Sequence, residues 1–184
     1  SISVKLSALY PRYEFATQES CVPYLIDRLK TLAIQARESH MSLTVDAEES
    51  YRLDISLKVI EAVFAAPELA DWDGLGLAVQ AYQKRGFYVI DRLIDMARRY
   101  SKRLQVRLVK GAYWDTEIKI AQVEGYREYP VFTRKVATDV SYIACAKKLL
   151  NAHDVIYSQF ATHNAYSVAA IITMVGDRMG HMDF

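Results

Sequence analysis

The chain has 184 residues, of which 52% are hydrophobic and 24% charged, so it can bury a sizeable core and does not resemble a disordered or collagen-like chain. Its 23 basic and 22 acidic side chains nearly cancel, which argues against strong overall attraction to nucleic acid or anionic lipid. The two cysteines lack CxxC spacing, which argues against a disulfide scaffold and a structural zinc site.

Short aliphatic segments alternate with amphipathic ones along the whole chain, and this alternation predicts parallel strands joined by helices. We predict strands over residues 2–9, 43–47, 75–82, 104–109 and 155–161. Apolar residues at helical spacing predict a helix after each strand, in stripes that begin at Val22, Leu53, Ile90, Val136 and Val168. Pro23 suits the first turn of the first helix. No linker or low-complexity tract interrupts the pattern, so we predict one α/β domain over residues 1–184.

Each predicted strand offers one polar side chain that alternates with apolar neighbours, and in the fifth this side chain lies just past the strand. These residues are Lys5, Asp46, Gln80, Arg107 and His163. A doubly wound sheet is buried on both faces and has nearly continuous apolar strands, whereas a barrel can hold polar side chains inward at its mouth. The pattern therefore favours a (β/α)₈ barrel of the TIM type. Such a barrel needs about 250 residues, so we expect an incomplete barrel domain with about the first five β/α units.

These five side chains, together with Lys110, are expected to converge on one end of the barrel and to suit an anionic or zwitterionic ligand. A structural interpretation stays open for single residues: Lys5 and Asp46 as a buried ion pair, or Gln80 as a satisfied amide. Burying several charges is costly, which favours a site for the set as a whole.

Two loops and one acidic cluster each leave two interpretations open. Gly111 lets the backbone approach a ligand closely, but it also suits an ordinary turn. The segment 162–164 can bind a ligand or cap a helix. Asp46, Glu48 and Glu49 have no histidine at metal-ligand spacing, so no metal site is predicted, and the two glutamates are expected to be solvated or paired with cations.

Seven strings in order, SVKLSALYPRY, DAEES, VQAYQKR, RLVKGAYWD, YPVFTRK, TDVSY and QFATHN, resemble the proline dehydrogenase domain of bacterial proline utilization A, a bifunctional flavoenzyme family. The resemblance implies non-covalent FAD and oxidation of L-proline to pyrroline-5-carboxylate by hydride transfer to flavin N5. This is the first step of proline catabolism to glutamate. It also implies a quinone acceptor at the membrane surface, reached by a cytoplasmic protein that associates peripherally with the inner membrane.

The resemblance assigns roles to individual residues. Lys5 matches the lysine that pairs with the substrate carboxylate, Asp46 the acid that organises the surroundings of that lysine, and Arg107 the arginine near flavin N5. These three form the expected catalytic set. The expected cofactor-binding residues are Ala47, Gln80, Arg107, Lys110, Gly111, Ala112, Tyr113, Trp114, Thr162, His163 and Asn164.

The sequence departs from the family at its end, where no Arg-Arg-x-x-Glu string follows residue 164 and a sixth strand begins only at Asp183. We expect the isolated chain to bind FAD weakly and to oxidise L-proline poorly. An open strand edge is expected to favour a homodimer.

Two other functions remain open alongside the flavoenzyme. One is a Schiff-base barrel lyase with Lys5 or Lys110 as the nucleophile. The other is an inactive half-barrel that serves as an assembly unit. Nucleic-acid binding by this segment is not expected, because its aromatic residues are scattered and form no stacking platform beside basic residues.

Overall fold

The computed structural model describes residues 1–176, 180 and 182–184. Its strands are β1 Ile2–Val4, β2 Leu43–Val45, β3 Leu75–Gln80, β4 Leu104–Val109, β5 Ile156–Phe160 and β6 Met182–Asp183. Its α-helices are α1 Leu6–Leu9, α2 Gln18–Glu38, α3 Leu53–Phe64, α4 Gly86–Arg99, α5 Trp114–Val123, α6 Lys135–Asn151 and α7 Ala165–Val175. Strands and helices alternate along the chain, which confirms the predicted α/β alternation. None of the helices in the described ranges is long and apolar enough to cross a membrane.

The chain divides into two compact units, Ser1–Leu77 and Ala78–Phe184. In the first unit β1 pairs in parallel with β2, and β2 pairs in parallel with the start of β3. Helix α2 packs on α3 and buries a stripe of small and aliphatic side chains, namely Cys21, Leu25, Leu29, Ala33 and Ala36. Pro23 lies in the second turn, because α2 begins at Gln18, five residues before it.

The predicted first strand over residues 2–9 is wrong in its second half. The strand ends at Val4, and Leu6–Leu9 forms the short helix α1. The N–H of Ala8 donates to the carbonyl of Lys5 at 3.0 Å, and the N–H of Ser7 donates to the Glu48 carboxylate at 3.0 Å. A helix start needs acceptors for its amides, and here a distant carboxylate supplies one.

In the second unit β4 pairs in parallel with β5, and β5 pairs in parallel with β6. Side chains alternate along β4 as predicted: Leu104, Val106 and Leu108 are buried, whereas Gln105 and Arg107 remain partly exposed. Strand β6 begins at Met182, one residue before the predicted position.

In the second unit the positions of the helices along the chain agree with the prediction better than the residues predicted to form their buried faces. Helix α4 buries Ile90, Leu93, Ile94 and Ala97 as expected, and burial of each isoleucine or leucine side chain contributes roughly 1.5 to 3 kcal/mol. On α6 the predicted stripe is wrong at its start, because Val136 and Val140 are 68% and 70% exposed, and right at its end, because Leu150 is buried. The other buried residues of α6 are Thr138, Tyr142, Cys145, Ala146 and Leu149.

Candidate functional site

In the first unit, Lys5 and Asp46 meet just past the carboxyl ends of two adjacent parallel strands. Lys5 follows β1 and Asp46 follows β2, and the N–H of Asp46 donates to the carbonyl of Val4 at 2.9 Å. The Lys5 ammonium donates to Asp46 Oδ2 at 3.1 Å. The Lys5 side chain is 47% exposed and that of Asp46 is 27% exposed, so this is not a buried ion pair. A partly exposed ammonium oriented by a carboxylate can still bind an anionic group of a ligand. Ala47, the next residue, is also partly exposed.

Arg52 is the partner of the acidic cluster, although it was not among the predicted site residues. Arg52 Nη1 lies 2.8 Å from Glu48 Oε2 and 3.2 Å from Glu49 Oε2. Burial opposes the charge of the Arg52 guanidinium, but Glu49, Tyr51 and Glu48 raise its pKa overall. The expected pairing of both glutamates with a cation is confirmed, and the Glu-to-Arg spacings of three and four residues were the available signal.

Replacement Glu48→Gln is expected to lower the free energy of unfolding by about 1 to 2 kcal/mol. The Glu48 carboxylate accepts from Ser7 N–H with one oxygen and from Arg52 with the other, and its side chain is only 6% exposed. Glutamine keeps one acceptor but turns an NH₂ group toward the guanidinium. Urea unfolding measures the change, with exposed Glu14→Gln as the control. Equal effects of the two substitutions would contradict a role for the buried pair.

In the second unit, Gln80 fixes the loop that follows β4. Gln80 ends β3 with its side chain buried, and its Oε1 accepts from the N–H of Ala112 at 3.1 Å. Backbone bonds from Ala81 to Val109 and from Tyr82 to Lys110, of 2.8 and 2.7 Å, hold the same two segments together. The structure therefore brings together two predicted site residues, Gln80 at the end of β3 and Ala112 in the loop after β4. The side-chain amide of Gln80 has a hydrogen-bond partner and holds the loop through it.

Gly111 occupies a position in that loop that other residues fit poorly. Its φ of +145° is a conformation that side chains disfavour, and a Cβ added there would lie 2.4 Å from the ring of Tyr82. Tyr82 is only 2% exposed and cannot move aside easily. The absence of a side chain at Gly111 thus allows the loop backbone to lie directly on the Tyr82 ring.

A cavity of about 440 Å³ opens beside this loop. It is lined by Tyr82, Lys110, Gly111, Trp114, Thr133, Lys135 and Thr138. Asp139 binds both lysines, with Lys135 Nζ at 2.9 Å from Oδ2 and Lys110 Nζ hydrogen-bonded to Oδ1. The hydrogen bonds from Lys110 and then Lys135 hold the pKa of Asp139 below its ordinary value. With two ammonium groups and one carboxylate, the cavity walls carry net positive charge.

Aromatic groups complete the cavity and suit a planar organic ligand. The Trp114 indole N–H donates to the carbonyl of Phe132 at 3.0 Å, and the Trp114 side chain remains 42% exposed. Four of the lining residues were not among the predicted site residues, namely Tyr82, Thr133, Lys135 and Thr138. The spacing of Lys135 and Asp139 on one helix face was an available signal, but their approach to Lys110 depends on the fold.

The remaining predicted residues lie on or after β4 and β5. Arg107 sits within β4, partly exposed, with Gln159 as its Cα partner on β5. Asn164 Oδ1 accepts from Ser167 N–H at 3.0 Å and Thr162 Oγ1 accepts from Asn164 N–H at 3.1 Å, so the helix-cap interpretation of this segment is confirmed. His163 and Ala112 are exposed, Tyr113 is partly exposed, and these three residues do not line the cavity.

The described residues contain no group of three or more His, Cys, Asp or Glu side chains arranged to hold a metal ion. Asp46, Glu48 and Glu49 instead take lysine, arginine and backbone N–H partners.

The chain has parallel strands with polar side chains at and beyond their carboxyl ends. This arrangement is typical of the α/β class, which includes the TIM-type barrel enzymes. The chain belongs to the proline dehydrogenase family, whose family model matches residues 1–183.

Several proteins of this family are similar to the chain over most of its length. The bifunctional protein PutA of Klebsiella aerogenes is 57% identical over 175 residues, which is 95% of this chain and 13% of that protein. A solved structure of proline utilization A with proline bound in remote sites matches 94% of this chain and 18% of its own, at 54% identity and a TM-score of 0.92. Proline utilization A from Bdellovibrio bacteriovorus, inactivated by N-propargylglycine, matches 97% of this chain and 18% of its own, at 31% identity and a TM-score of 0.91. These likenesses confirm the TIM-type barrel as the fold class, and the chain spans about an eighth of the length of the curated PutA proteins that it matches.

Proposed function

We propose that this chain carries the flavin-binding part of an enzyme that oxidises L-proline to pyrroline-5-carboxylate, with FAD as the cofactor. The observation that carries the proposal is the Gly111 loop, which Gln80 holds beside a cavity with net positive charge and aromatic walls. Family membership and similarity to proteins named PutA support the same reaction.

The residues present in the second unit fit FAD. Lys110 and Lys135 offer ammonium groups for its phosphates, and Trp114 and Tyr82 offer aromatic surface. A side chain at Gly111 would fill the space against Tyr82, so the loop provides bare backbone at this point. When bound, FAD supplies a hydride acceptor at N5 of its isoalloxazine ring. The residues proposed to hold FAD are Gln80, Lys110, Gly111, Ala112, Tyr113 and Trp114. Further contacts are proposed from Ala47, Thr162, His163 and Asn164.

Arg107 and the pair of Lys5 and Asp46 are the proposed catalytic groups. A guanidinium has five N–H donors and a permanent charge, so Arg107 can stabilise negative charge on the reduced flavin ring. Lys5 can bind the carboxylate of L-proline while Asp46, 3.1 Å away, fixes the ammonium in place. Inactivation of the Bdellovibrio bacteriovorus relative by N-propargylglycine, an amino acid, supports a site for an amino-acid substrate.

A Schiff-base lyase is the weaker candidate. Its lysine nucleophile has to be desolvated and neutral. Lys5 lies against Asp46 and Lys110 lies against Asp139, and both side chains are partly exposed. Neither lysine is therefore desolvated as this chemistry requires.

We further propose a quinone as electron acceptor for the whole protein, with peripheral association of a cytoplasmic protein at the inner membrane. The family resemblance supports both proposals. Strands β1 and β6 stand at the ends of the strand order, and unpaired strand edges can join two copies, so a homodimer is proposed as well.

The function is tested by adding FAD and then L-proline, without oxygen, to the full-length protein that contains this chain. We expect FAD to bind and its visible absorption band to bleach on addition of L-proline. D-Proline serves as the control substrate and is expected to leave the band unchanged. Binding of FAD without bleaching by L-proline would contradict proline oxidation, and borohydride trapping of a carbonyl substrate would favour the lyase. An inactive protein that binds no FAD but dimerises with rising concentration would favour an assembly unit.

A further inference from the structure

The side-chain amide of Gln159 contains a buried oxygen atom, Oε1. This atom is inaccessible to solvent and has no hydrogen-bond partner in the part of the chain that the structure describes. A buried acceptor without a donor is destabilising, so such an atom needs an explanation. The pairing of β4 with β5 does not supply one, because that pairing uses the backbone of Gln159 and leaves its side chain aside.

The position of Gln159 relates this atom to the proposed cofactor site. Gln159 on β5 and Arg107 on β4 are Cα partners in the parallel ladder. Both lie on the partly exposed face of their strands, because Val106, Leu108, Ser158 and Phe160 alternate with them and are buried. Side chains at paired positions on the same face of adjacent strands are close neighbours, about 5 Å apart at their origins.

The chemistry of the two side chains is complementary. The guanidinium of Arg107 has N–H donors and no acceptor, whereas the amide oxygen of Gln159 needs a donor. A neutral amide can orient a guanidinium without cancelling its charge, unlike a carboxylate at the same place. The hydrogen bond to the amide fixes the orientation of the guanidinium. Because the amide is neutral, the guanidinium keeps its electrostatic effect on its surroundings.

We propose that Gln159 is a positioning residue for Arg107 and accepts a guanidinium N–H when FAD is bound. The inference rests on the proposed function, in which Arg107 faces the flavin. Through this bond Gln159 holds the positive charge in place beside the cofactor, so it favours the reduced over the oxidised flavin. Gln159 itself has no part in the chemical step.

The reduction potential of the bound flavin tests the proposal, since a merely structural role would leave it unchanged. Gln159→Met keeps the length of the side chain without the amide, and Gln159→Glu places a carboxylate beside Arg107. We expect the equilibrium ratio of reduced to oxidised flavin to fall about threefold in the methionine variant and about tenfold in the glutamate variant. The tenfold loss corresponds to about 30 mV for a two-electron couple. Gln105→Met, on the same face of β4 and paired with Tyr157, is the matched control and should leave the potential unchanged.

The holoprotein is used in full length, and circular dichroism establishes that each variant is folded. Potentials that agree with the wild-type value in both Gln159 variants, or that shift equally in Gln105→Met, overturn the proposal. Gln159→Leu replaces the methionine variant if that variant does not fold, because only an uncharged substitution separates the loss of the amide from the effect of an added negative charge. If the wild-type protein binds FAD and is reduced by L-proline while the variants show no shift, only the role of Gln159 fails. If the wild-type protein binds no FAD, the proposed function fails and takes this inference with it.

Discussion

Replacement Arg107→Met is expected to slow the reduction of bound FAD by L-proline by about 10²- to 10³-fold, the usual loss when one donor to developing charge is removed. The reason is electrostatic: Arg107 lies partly exposed on β4, in the same unit as Gln80 and the Gly111 loop. Methionine occupies a similar volume but leaves the flavin ring without the cation. Anaerobic stopped-flow measurement of the absorption change gives the rate directly.

Arg107→Lys separates the charge from the shape of the guanidinium. Lysine keeps the positive charge but loses the planar set of donors, so an intermediate loss of about tenfold is expected. Arg103→Met is the matched control, since Arg103 precedes β4 on the same face, with its guanidinium 5.3 Å from the centroid of the Tyr157 ring. A control that slows reduction as much as Arg107→Met would show that the loss follows from damage to β4. An unchanged rate in Arg107→Met would remove Arg107 from the catalytic set.

The strands could be predicted well from the sequence because period-two alternation is a local property. Along β4 the order Leu104, Gln105, Val106, Arg107 distinguishes the buried face from the partly exposed face without any knowledge of neighbouring strands. The same reasoning failed over residues 6–9, where the pattern suits a strand as well as a helix. A carboxylate 41 residues away, that of Glu48, meets the amide of Ser7 and favours the helix. Hydrophobic pattern carries no information about such a distant contact.

The position of the cavity could be predicted from the sequence better than the set of residues that form it. Lys110 and Gly111 follow a predicted strand and were identified as site residues, and both line the cavity. Asp139 is 29 residues from Lys110 in the chain, and only the packing of α6 makes it a shared partner of two lysines. The exposed Val136 and Val140 mislead here, because their apolar side chains at helical spacing suggested a buried face. Burial of Thr138 and Tyr142 on α6 is decided by neighbouring elements rather than by hydropathy.

Replacement Gly111→Ala is expected to destabilise the chain by about 3 kcal/mol or more and to abolish FAD binding, because two separate costs add. A φ of +145° lies in a region nearly restricted to glycine, which costs about 1 to 3 kcal/mol for another residue. The new methyl group would also lie 2.4 Å from the Tyr82 ring, close to its point of attachment, where the ring has little freedom to move. Relief of the clash has to shift the loop backbone away from Tyr82. Urea unfolding and FAD titration measure the two losses.

Gly125→Ala separates the conformational cost from the clash. Gly125 also has a positive φ, of +65°, but a Cβ there would meet no atom within 4 Å. This φ lies in the left-handed region, where alanine costs about 1 kcal/mol. The difference between the two variants therefore measures the contact with Tyr82, and Tyr82→Ala in the Gly111→Ala background should recover part of it by removing the ring. Equal destabilisation by the two glycine substitutions, or FAD affinity unchanged in Gly111→Ala, would contradict the close approach of this loop to the cofactor.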